Sequence, residues 1–424
     1  MLHNNHNVYI LGAGFSAHAG FPLIKDFMNS MKDSLDWLIE NERTVEIEAI
    51  NKVLLFQQTL RSASDRVCLD VENIEELFSL AFSQIKMPTK DLQNLMAISI
   101  AAPLTFSDNR RNPKKCQIEV GSRDEYPDPP LGFHHVQQNS QYESDQYEFF
   151  LSVMTGRNRR PQTPQKDTII TFNYDLLVEE ALHRIGIPCV YGGLHGGFLA
   201  NFQSTRYAPD EPEMVGIPDP LPEDHVRLIK LHGSINWMLN PEHDPAASSP
   251  ASQYKIVILD DYQATWKYQQ NSQKSSPIPN LLLAPPTWNK DLRDLNAPLS
   301  NVWDAAVRAI ETATRIIIVG YSMPQTDPHF KYLLAAGLAN NISLRKLFFV
   351  NPDFQRTQGK EKEEEELKDR LFNVIRKHFQ DLNRLELIDT TVQGFLGNPE
   401  RRKMINRDFD GIFANKQVLE MTTY

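Results

Sequence analysis

Cysteine is scarce in this sequence, which contains three cysteines in 424 residues. Cys68, Cys116 and Cys189 are far apart, and no two of them form a C-x-x-C pair. This spacing excludes a cysteine-based zinc module and a disulfide framework. Low cysteine usage is typical of a reducing compartment, so we expect a cytoplasmic protein.

Long apolar runs and an excess of positive charge are also lacking. No segment has the roughly 20 consecutive apolar residues that a bilayer requires, and the opening MLHNNHNVYILGAG has no basic segment ahead of a long apolar one. We therefore expect no signal peptide and no membrane association. The formal net charge is −10 at pH 7. Because nucleic-acid-binding surfaces need clustered Lys and Arg, we expect no strong direct binding to nucleic acid.

What is present is the composition of a soluble globular protein, with 41% apolar and 23% charged residues. A chain of 424 residues is too long for one ordinary core, so two domains or one domain with a large insertion is expected. Short apolar strands alternate with helical segments, which indicates a mainly parallel sheet covered by helices on both faces. The predicted fold class is therefore doubly wound, Rossmann-like α/β.

The alternation of strands and helices is interrupted between residues 59 and 165. This segment begins with helical periodicity and becomes polar and proline-rich from about residue 105, which predicts a mainly helical insertion with a long polar loop. We assign residues 1–58 and 166–400 to one discontinuous α/β domain and residues 401–424 to a C-terminal tail.

Polar or glycine-rich segments follow several of the predicted strands. In open α/β sheets, ligands bind at the carboxyl ends of the strands, so these segments are expected to converge on one crevice. They are GAGFS, TFNYD, KLHGS, VGYSMP and VNPD.

The first of these segments lies in VYILGAGFSAHAGFP, residues 8–22. Gly12 is expected to form a tight turn with positive φ, and Gly14 to let the backbone approach a ligand closely. Ala17 stands where the third glycine of a G-x-G-x-x-G/A motif would be, and the following helix would offer N–H groups to a pyrophosphate. Taken alone, this stretch fits an ordinary strand–helix turn about equally well.

Together and in this order, the five segments resemble the sirtuin-like family, and more narrowly the bacterial sirtuin-like domains that hydrolyse NAD in antiphage defence. TFNYD, residues 171–175, resembles the sirtuin T-Q-N-I-D motif, and His232-Gly233 matches the catalytic His-Gly pair. GFPLIK, residues 20–25, resembles G-I-P-D-F-R but lacks its Asp and Arg. The four cysteines of the sirtuin zinc module are absent, so no zinc and no other metal site is expected.

The resemblance implies Asn173, His232 and Asp175 as the catalytic residues, and their chemistry suits cleavage of the nicotinamide–ribose bond. Asn173 can donate and accept hydrogen bonds at once, so it can orient a water or a ribose hydroxyl. His232 can take up a proton near neutral pH, although a core histidine satisfied by backbone groups is its alternative. Asp175 either accepts from a ribose hydroxyl or caps the helix that begins at Leu176.

The residues implied to bind NAD+, here a substrate, flank the carboxyl ends of the predicted strands. Ser322 is expected to hydrogen-bond a phosphate or a ribose, or else to belong to a plain turn, and the sirtuin-like pattern places Asn351 near the adenosine ribose. The predicted binding set is Gly12, Ala13, Gly14, Phe15, Ser16, Pro22, Thr171, Phe172, Gly233, Ser234, Gly320, Tyr321, Ser322 and Asn351.

The resemblance implies a sirtuin-like NAD+ hydrolase that yields ADP-ribose and nicotinamide and acts in antiphage defence by depleting NAD+. It also implies regulation by homo-oligomerisation or by a partner, for which a hexameric HerA-type ATPase is the candidate. Two alternatives stay open. One is a non-catalytic subunit that senses NAD or ADP-ribose in a defence complex, and the other is a protein deacylase, against which the missing zinc cysteines speak.

Overall fold

The structure is a computed structural model, and the strands of its described residues form two sheets with flanking helices. The described residues are 6–84, 90–111, 146–148, 150–151, 167–194, 225–240, 255–259, 261–271, 278–286, 297–323, 328–354, 361–388 and 391–392. The strands are β1 (Asn7–Leu11), β2 (Thr168–Thr171), β3 (Cys189–Tyr191), β4 (Val226–Lys230), β5 (Gly233–Asn240), β6 (Lys255–Ile258), β7 (Leu281–Leu283), β8 (Arg315–Val319), β9 (Lys346–Val350) and β10 (Leu385–Ile388).

Helices connect these strands, and in the described part of the chain single 3₁₀ turns occur at Ile24–Asp26 and Pro352–Phe354. The helices are α1 (Ala13–Ala17), α2 (Phe27–Glu40), α3 (Thr44–Ser64), α4 (Ile74–Gln84), α5 (Lys90–Arg111), α6 (Leu177–Arg184), α7 (Tyr262–Asn271), α8 (Ala297–Glu311), α9 (Pro328–Ala339), α10 (Glu361–Val374) and α11 (His378–Asp381).

The main sheet has seven strands in the order β10-β9-β8-β1-β2-β4-β3, and all of its neighbouring strands pair in parallel. Strand β1 is fully buried along its length, as expected for a strand covered by helices on both faces. The predicted doubly wound α/β class is thereby confirmed. The chain departs from β1 to both sides of the sheet, and such a switch point opens a crevice at the strand carboxyl ends.

A smaller antiparallel sheet, with the order β6-β5-β7, was not foreseen. The segment RLIKLHGSINWM, which suggests a single strand, is divided between the two sheets. β4 ends at Lys230, and β5 begins at Gly233 and pairs antiparallel with β6 and β7. The chain turns between them at Leu231 and His232, so His232 lies at the corner where the chain leaves the parallel sheet.

The predicted insertion contains the end of α3 and the whole of α4 and α5. The polar loop expected from residue 105 begins later, because residues 105–111 form the last turns of α5; the loop residues 112–145, 149 and 152–165 lie outside the described part of the chain. The boundary predicted at residue 58 falls within α3. The division into domains stays a prediction, and the tail at 401–424 also lies outside the described residues.

Helix α2 shows how the amphipathic pattern directs packing. Phe27, Met28, Met31 and Leu38 are buried and recur at helical spacing along one face, which packs against the core. Among the helices of the described ranges, none combines the length and the apolar character needed to cross a membrane.

Candidate functional site

The glycine turn after β1 packs tightly against the loop after β8. The positive φ expected of Gly12 is wrong, since its φ is −107°. The absence of a side chain matters instead, because a Cβ on Gly12 would lie 2.6 Å from the carbonyl oxygen of Gly320. Gly14 donates its N–H to the same oxygen at 2.8 Å, and a Cβ there would approach it to 2.8 Å. The close approach in this structure is therefore between two loops of the protein.

Gly320 has the backbone conformation that the sequence assigned to Gly12. Its φ is +63°, and a Cβ would lie 2.2 Å from the backbone nitrogen of Phe15. Both facts require glycine, because a side chain would be strained in conformation and would clash. The carboxyl ends of β1 and β8 are thereby held against each other.

Asn173 links the carboxyl end of β2 to the glycine turn of β1. Its Nδ2 donates to the Gly12 carbonyl at 3.0 Å and to Ser16 Oγ at 2.9 Å. Its backbone N–H donates to Thr171 Oγ1 at 3.0 Å, and Thr171 Oγ1 in turn donates to the Leu11 carbonyl at 3.3 Å. Four of the predicted site residues, Gly12, Ser16, Thr171 and Asn173, therefore form one hydrogen-bonded group.

Asp175 lies at the entrance to α6, which begins one residue later than predicted, at Leu177. Its Oδ1 accepts the N–H of Leu177 at 3.1 Å. This is the helix-capping contact that the sequence offered as the alternative to a ribose contact. The side chain is buried, and this burial raises the pKa of its carboxyl, whereas Lys230, the Leu177 N–H and Ser16 lower it. The carboxyl therefore has protein partners in this structure.

His232 is buried in an aromatic environment, with 6% of its surface exposed. Its ring centroid lies 5.3 Å from that of Phe172, 5.9 Å from Tyr174 and 6.5 Å from Trp303. Its carbonyl accepts the N–H of Ala284 at 2.9 Å. Aromatic neighbours on several sides shield the imidazole from bulk water.

Gly233 makes the corner at His232 possible. Its φ is +80°, and a Cβ would lie 2.1 Å from the Leu282 carbonyl oxygen. The next residue, Ser234, directs its hydroxyl to the Tyr174 carbonyl at 3.4 Å. Gly233 and Ser234 therefore shape the backbone beside His232.

Asn173 and His232 follow neighbouring strands, since β2 and β4 pair in parallel. The Leu231 N–H also donates to the Thr171 carbonyl at 3.0 Å, so the pairing continues past the strand ends. The Asn173 amide contacts Gly12 and Ser16, whereas the His232 ring contacts aromatic side chains. The two predicted catalytic groups thus follow adjacent strand ends but have different neighbours.

Phe172 and Tyr321, from the ends of β2 and β8, form a stacked pair. Their centroids are 4.6 Å apart with an interplanar angle of 13°, and Phe330 of α9 packs edge-on against Tyr321 at 4.8 Å. Sequence reasoning missed Phe330 and also Trp303, whose indole N–H donates to the Leu231 carbonyl at 3.0 Å. Both lie on helices, where the apolar periodicity predicts which face is buried but not which residues it packs against.

Other predicted binding residues occupy varied positions. Ser322 is exposed, Pro22 is half-buried, and Asn351 is buried at the end of β9, where its N–H donates to the Ile388 carbonyl at 3.0 Å. Ala13 opens α1, with Phe15 fully buried behind it. Ser322 and Pro22 therefore retain solvent access, whereas Phe15 serves the core.

The predicted insertion reaches the glycine turn. Tyr147 donates its hydroxyl to the Phe15 carbonyl at 2.8 Å, and the Tyr147 and Phe150 rings pack against Phe15 at 5.2 and 5.7 Å. A cavity of about 50 Å³ also has walls from α5 and from Phe21 and Leu176, which are sequence neighbours of Pro22 and Asp175. Residues of the insertion therefore border the candidate site.

A buried polar cluster next to Asp175 was also missed. Lys230 is fully buried, and its Nζ lies 2.7 Å from Glu179 Oε1 and donates to the Asp175 carbonyl at 2.5 Å. Tyr191 donates its hydroxyl to the same Glu179 oxygen at 3.0 Å. The sequence signal was a lysine in an otherwise apolar strand end. Within the described ranges, no group of three or more His, Cys, Asp or Glu residues could hold a metal ion.

Fold and site together define an α/β domain with polar side chains gathered at the carboxyl ends of its parallel strands, the arrangement of nucleotide-binding proteins. Residues 167–375 match the family model of the SIR2-like domain. This segment, just under half of the chain, is similar to SIR2-like domains, which confirms the sirtuin-like resemblance. The match includes Asn173, Asp175 and His232, and SIR2-like domains bind NAD+. No curated protein is significantly similar to the chain.

Proposed function

We propose that the chain hydrolyses NAD+ to ADP-ribose and nicotinamide. The observation that carries the proposal is that Asn173 and His232 follow the adjacent strands β2 and β4 within the segment that matches the SIR2-like domain. Asn173 is also hydrogen-bonded to the glycine turn of β1. An amide, a hydroxyl and an imidazole form a donor and acceptor set that suits a ribose and an attacking water.

The reaction requires little covalent chemistry from the protein. The bond between the ribose C1′ and the nicotinamide nitrogen breaks, and its electron pair goes to the nitrogen, which is cationic in NAD+ and needs no proton. Water forms the new bond at C1′ and loses a proton, which His232 accepts. Asn173 orients the water or the ribose, and the aromatic residues around His232 exclude competing solvent.

The test follows nicotinamide release from NAD+ by purified protein. His232→Ala and Asn173→Ala should each abolish release while the variant still unfolds in one cooperative transition. A lowered unfolding midpoint is expected in both, because one loses a buried ring and the other loses two hydrogen bonds. His183→Ala, at an exposed position of α6, is the matched control and should retain full activity. Full activity in both site variants would overturn the assignment.

A second candidate is a subunit that binds NAD or ADP-ribose without turnover. It is favoured by the two hydrogen bonds that the Asn173 amide donates to Gly12 and Ser16, because an amide used to join two strand ends is less free to orient a water. Isothermal titration with NAD+ and with ADP-ribose separates the candidates. Tight binding with no nicotinamide release, alone or in a complex, would support the second one.

We extend the first proposal to antiphage defence by NAD+ depletion in the cytoplasm, with control by homo-oligomerisation or by a hexameric HerA-type ATPase. The support is the resemblance to bacterial sirtuin-like defence domains. Cells that express the chain with and without a candidate ATPase can be challenged with phage while their NAD+ content is measured. Light scattering of the purified chain determines its oligomeric state.

A further inference from the structure

The ion pair between Lys230 and Glu179 lies in the interior beside the candidate site. Lys230 has 0% and Glu179 has 2% of its surface exposed. Removing two charges from water costs several kcal/mol for each ion, and apolar replacements of a buried pair are often as stable. Stability of the fold alone is therefore a weak explanation for a charged pair at this position.

The geometry of the pair suggests another role. The Lys230 Nζ bridges Glu179 Oε1 and the backbone carbonyl of Asp175, and the Tyr191 hydroxyl holds Glu179 from β3. Asp175 ends the segment 173–175, which lies in the connection between β2 and α6 and carries two of the predicted catalytic side chains. One side chain of β4 thus fixes the far end of this segment, while the Asn173 amide fixes its near end at Gly12.

We propose that Lys230 is a positioning residue that holds segment 173–175 in register with His232. Lys230 and His232 are two residues apart at the end of β4. The same strand end therefore supplies the imidazole and also the lysine that fixes the segment containing Asn173. The catalytic consequence rests on the proposed function, whereas the structural part does not.

The double variant K230M/E179Q tests this inference by removing both charges of the ion pair together. The glutamine introduced in place of Glu179 keeps an oxygen for the Tyr191 hydroxyl, and the methionine introduced in place of Lys230 fills much of the lysine volume. The variant loses the donor to the Asp175 carbonyl and the positive charge that lowers the pKa of the Asp175 carboxyl, and both losses act on segment 173–175. Removing both partners avoids the strong destabilisation expected when one member of a buried ion pair loses its partner. The matched control is K346M/E386Q, which removes the ion pair between β9 and β10.

Two readouts are measured on the full chain. Hydrogen exchange of the amides in 172–177 should accelerate by roughly tenfold or more in K230M/E179Q, while amides in β1 and β8 keep their wild-type protection. In nicotinamide release, kcat should fall by roughly tenfold or more, with KM changed by less than about threefold, because a misplaced group affects the transition state more than ground-state binding. The control pair should change neither quantity in this segment.

Unchanged exchange in 172–177 would overturn the inference, and so would acceleration spread evenly over β1, β2 and β8, which would mean that the pair stabilises the whole sheet. An active wild type with an unchanged kcat in the double variant would also overturn it. If the wild type releases no nicotinamide, the proposed function fails, but the exchange measurement still decides whether Lys230 fixes the segment.

Discussion

Asp167 offers the sharpest test of the physical reasoning, because its carboxyl is buried with little compensating charge. It precedes β2 at the amino edge of the main sheet and is 4% exposed. Its Oδ1 accepts the N–H of Asn7 at 3.1 Å. Burial raises the pKa of this carboxyl from 3.8 to about 7, against the lowering effects of Asn7 and Arg315. The folded chain therefore keeps a proton there that the unfolded chain releases at lower pH.

The direction of the effect on stability follows from proton linkage. Because the folded pKa exceeds the unfolded one, unfolding releases a proton between the two values, and rising pH favours the unfolded state. The stabilising contribution of this carboxyl is fully present below pH 3.8 and is lost as the pH rises through about 7. One pKa unit corresponds to about 1.4 kcal/mol, so the ionised carboxyl removes about 4 kcal/mol from the free energy of unfolding by pH 8.

Asp167→Asn keeps an oxygen for the Asn7 N–H and cannot ionise. Relative to the wild type, the variant should become more stable as the pH rises, by about 2–3 kcal/mol between pH 5 and pH 8. The assay is urea unfolding followed by fluorescence at several pH values, with the midpoint of each curve compared. Asp304→Asn, at an exposed site on α8, is the control and should show no such trend. A midpoint difference that is constant with pH, or that shrinks as pH rises, would refute the reasoning.

Further predictions concern backbone conformation and the contact between the insertion and the glycine turn. Gly233→Ala should lower both the thermal unfolding midpoint and nicotinamide release, because φ is +80° and the new Cβ would lie 2.1 Å from the Leu282 carbonyl oxygen. The control is Gly20→Ala, where φ is +90° but no atom lies within 4 Å of the Cβ, so only the conformational cost of about 1 kcal/mol is expected. Equal losses of stability in the two variants would contradict the role of the clash. Tyr147→Phe should remove the hydrogen bond to the Phe15 carbonyl and destabilise the chain by about 1 kcal/mol. Proteases should then cleave the chain faster near residue 147. Cleavage at the wild-type rate would contradict a stabilising role for this hydrogen bond.

The sequence was sufficient for most of the sheet, because strands buried on both faces are short apolar runs with little ambiguity. The run RIIIV became β8 and KLFFV became β9. The same rule failed at RLIKLHGSINWM, where an apolar run passes from one sheet into another without any break in hydrophobicity. The turn depends on the positive φ of Gly233, and a single glycine between apolar residues also fits a bulge within one strand.

Asn173 and His232 could be selected from the sequence because each stands in a polar segment after an apolar strand and these segments together resemble sirtuin-like motifs. Their catalytic role stays a prediction. Lys230 could not be assigned a role in the same way. Its partners Glu179 and Asp175 come from 51 and 55 residues earlier in the chain, and a lysine at the end of a strand usually reaches solvent. Only the parallel pairing of β2 with β4 reveals that this side chain points to the start of α6.

The setting of His232 shows how the topology determines the site. The Trp303 indole N–H satisfies the Leu231 carbonyl, and the Ala284 N–H satisfies the His232 carbonyl, so α8 and the chain after β7 both fix the corner. Both contacts are made to backbone carbonyls, so they hold the backbone at His232 independently of its side chain. His232→Ala should therefore leave the corner intact, which is why loss of nicotinamide release in that variant would report on the imidazole and not on the fold.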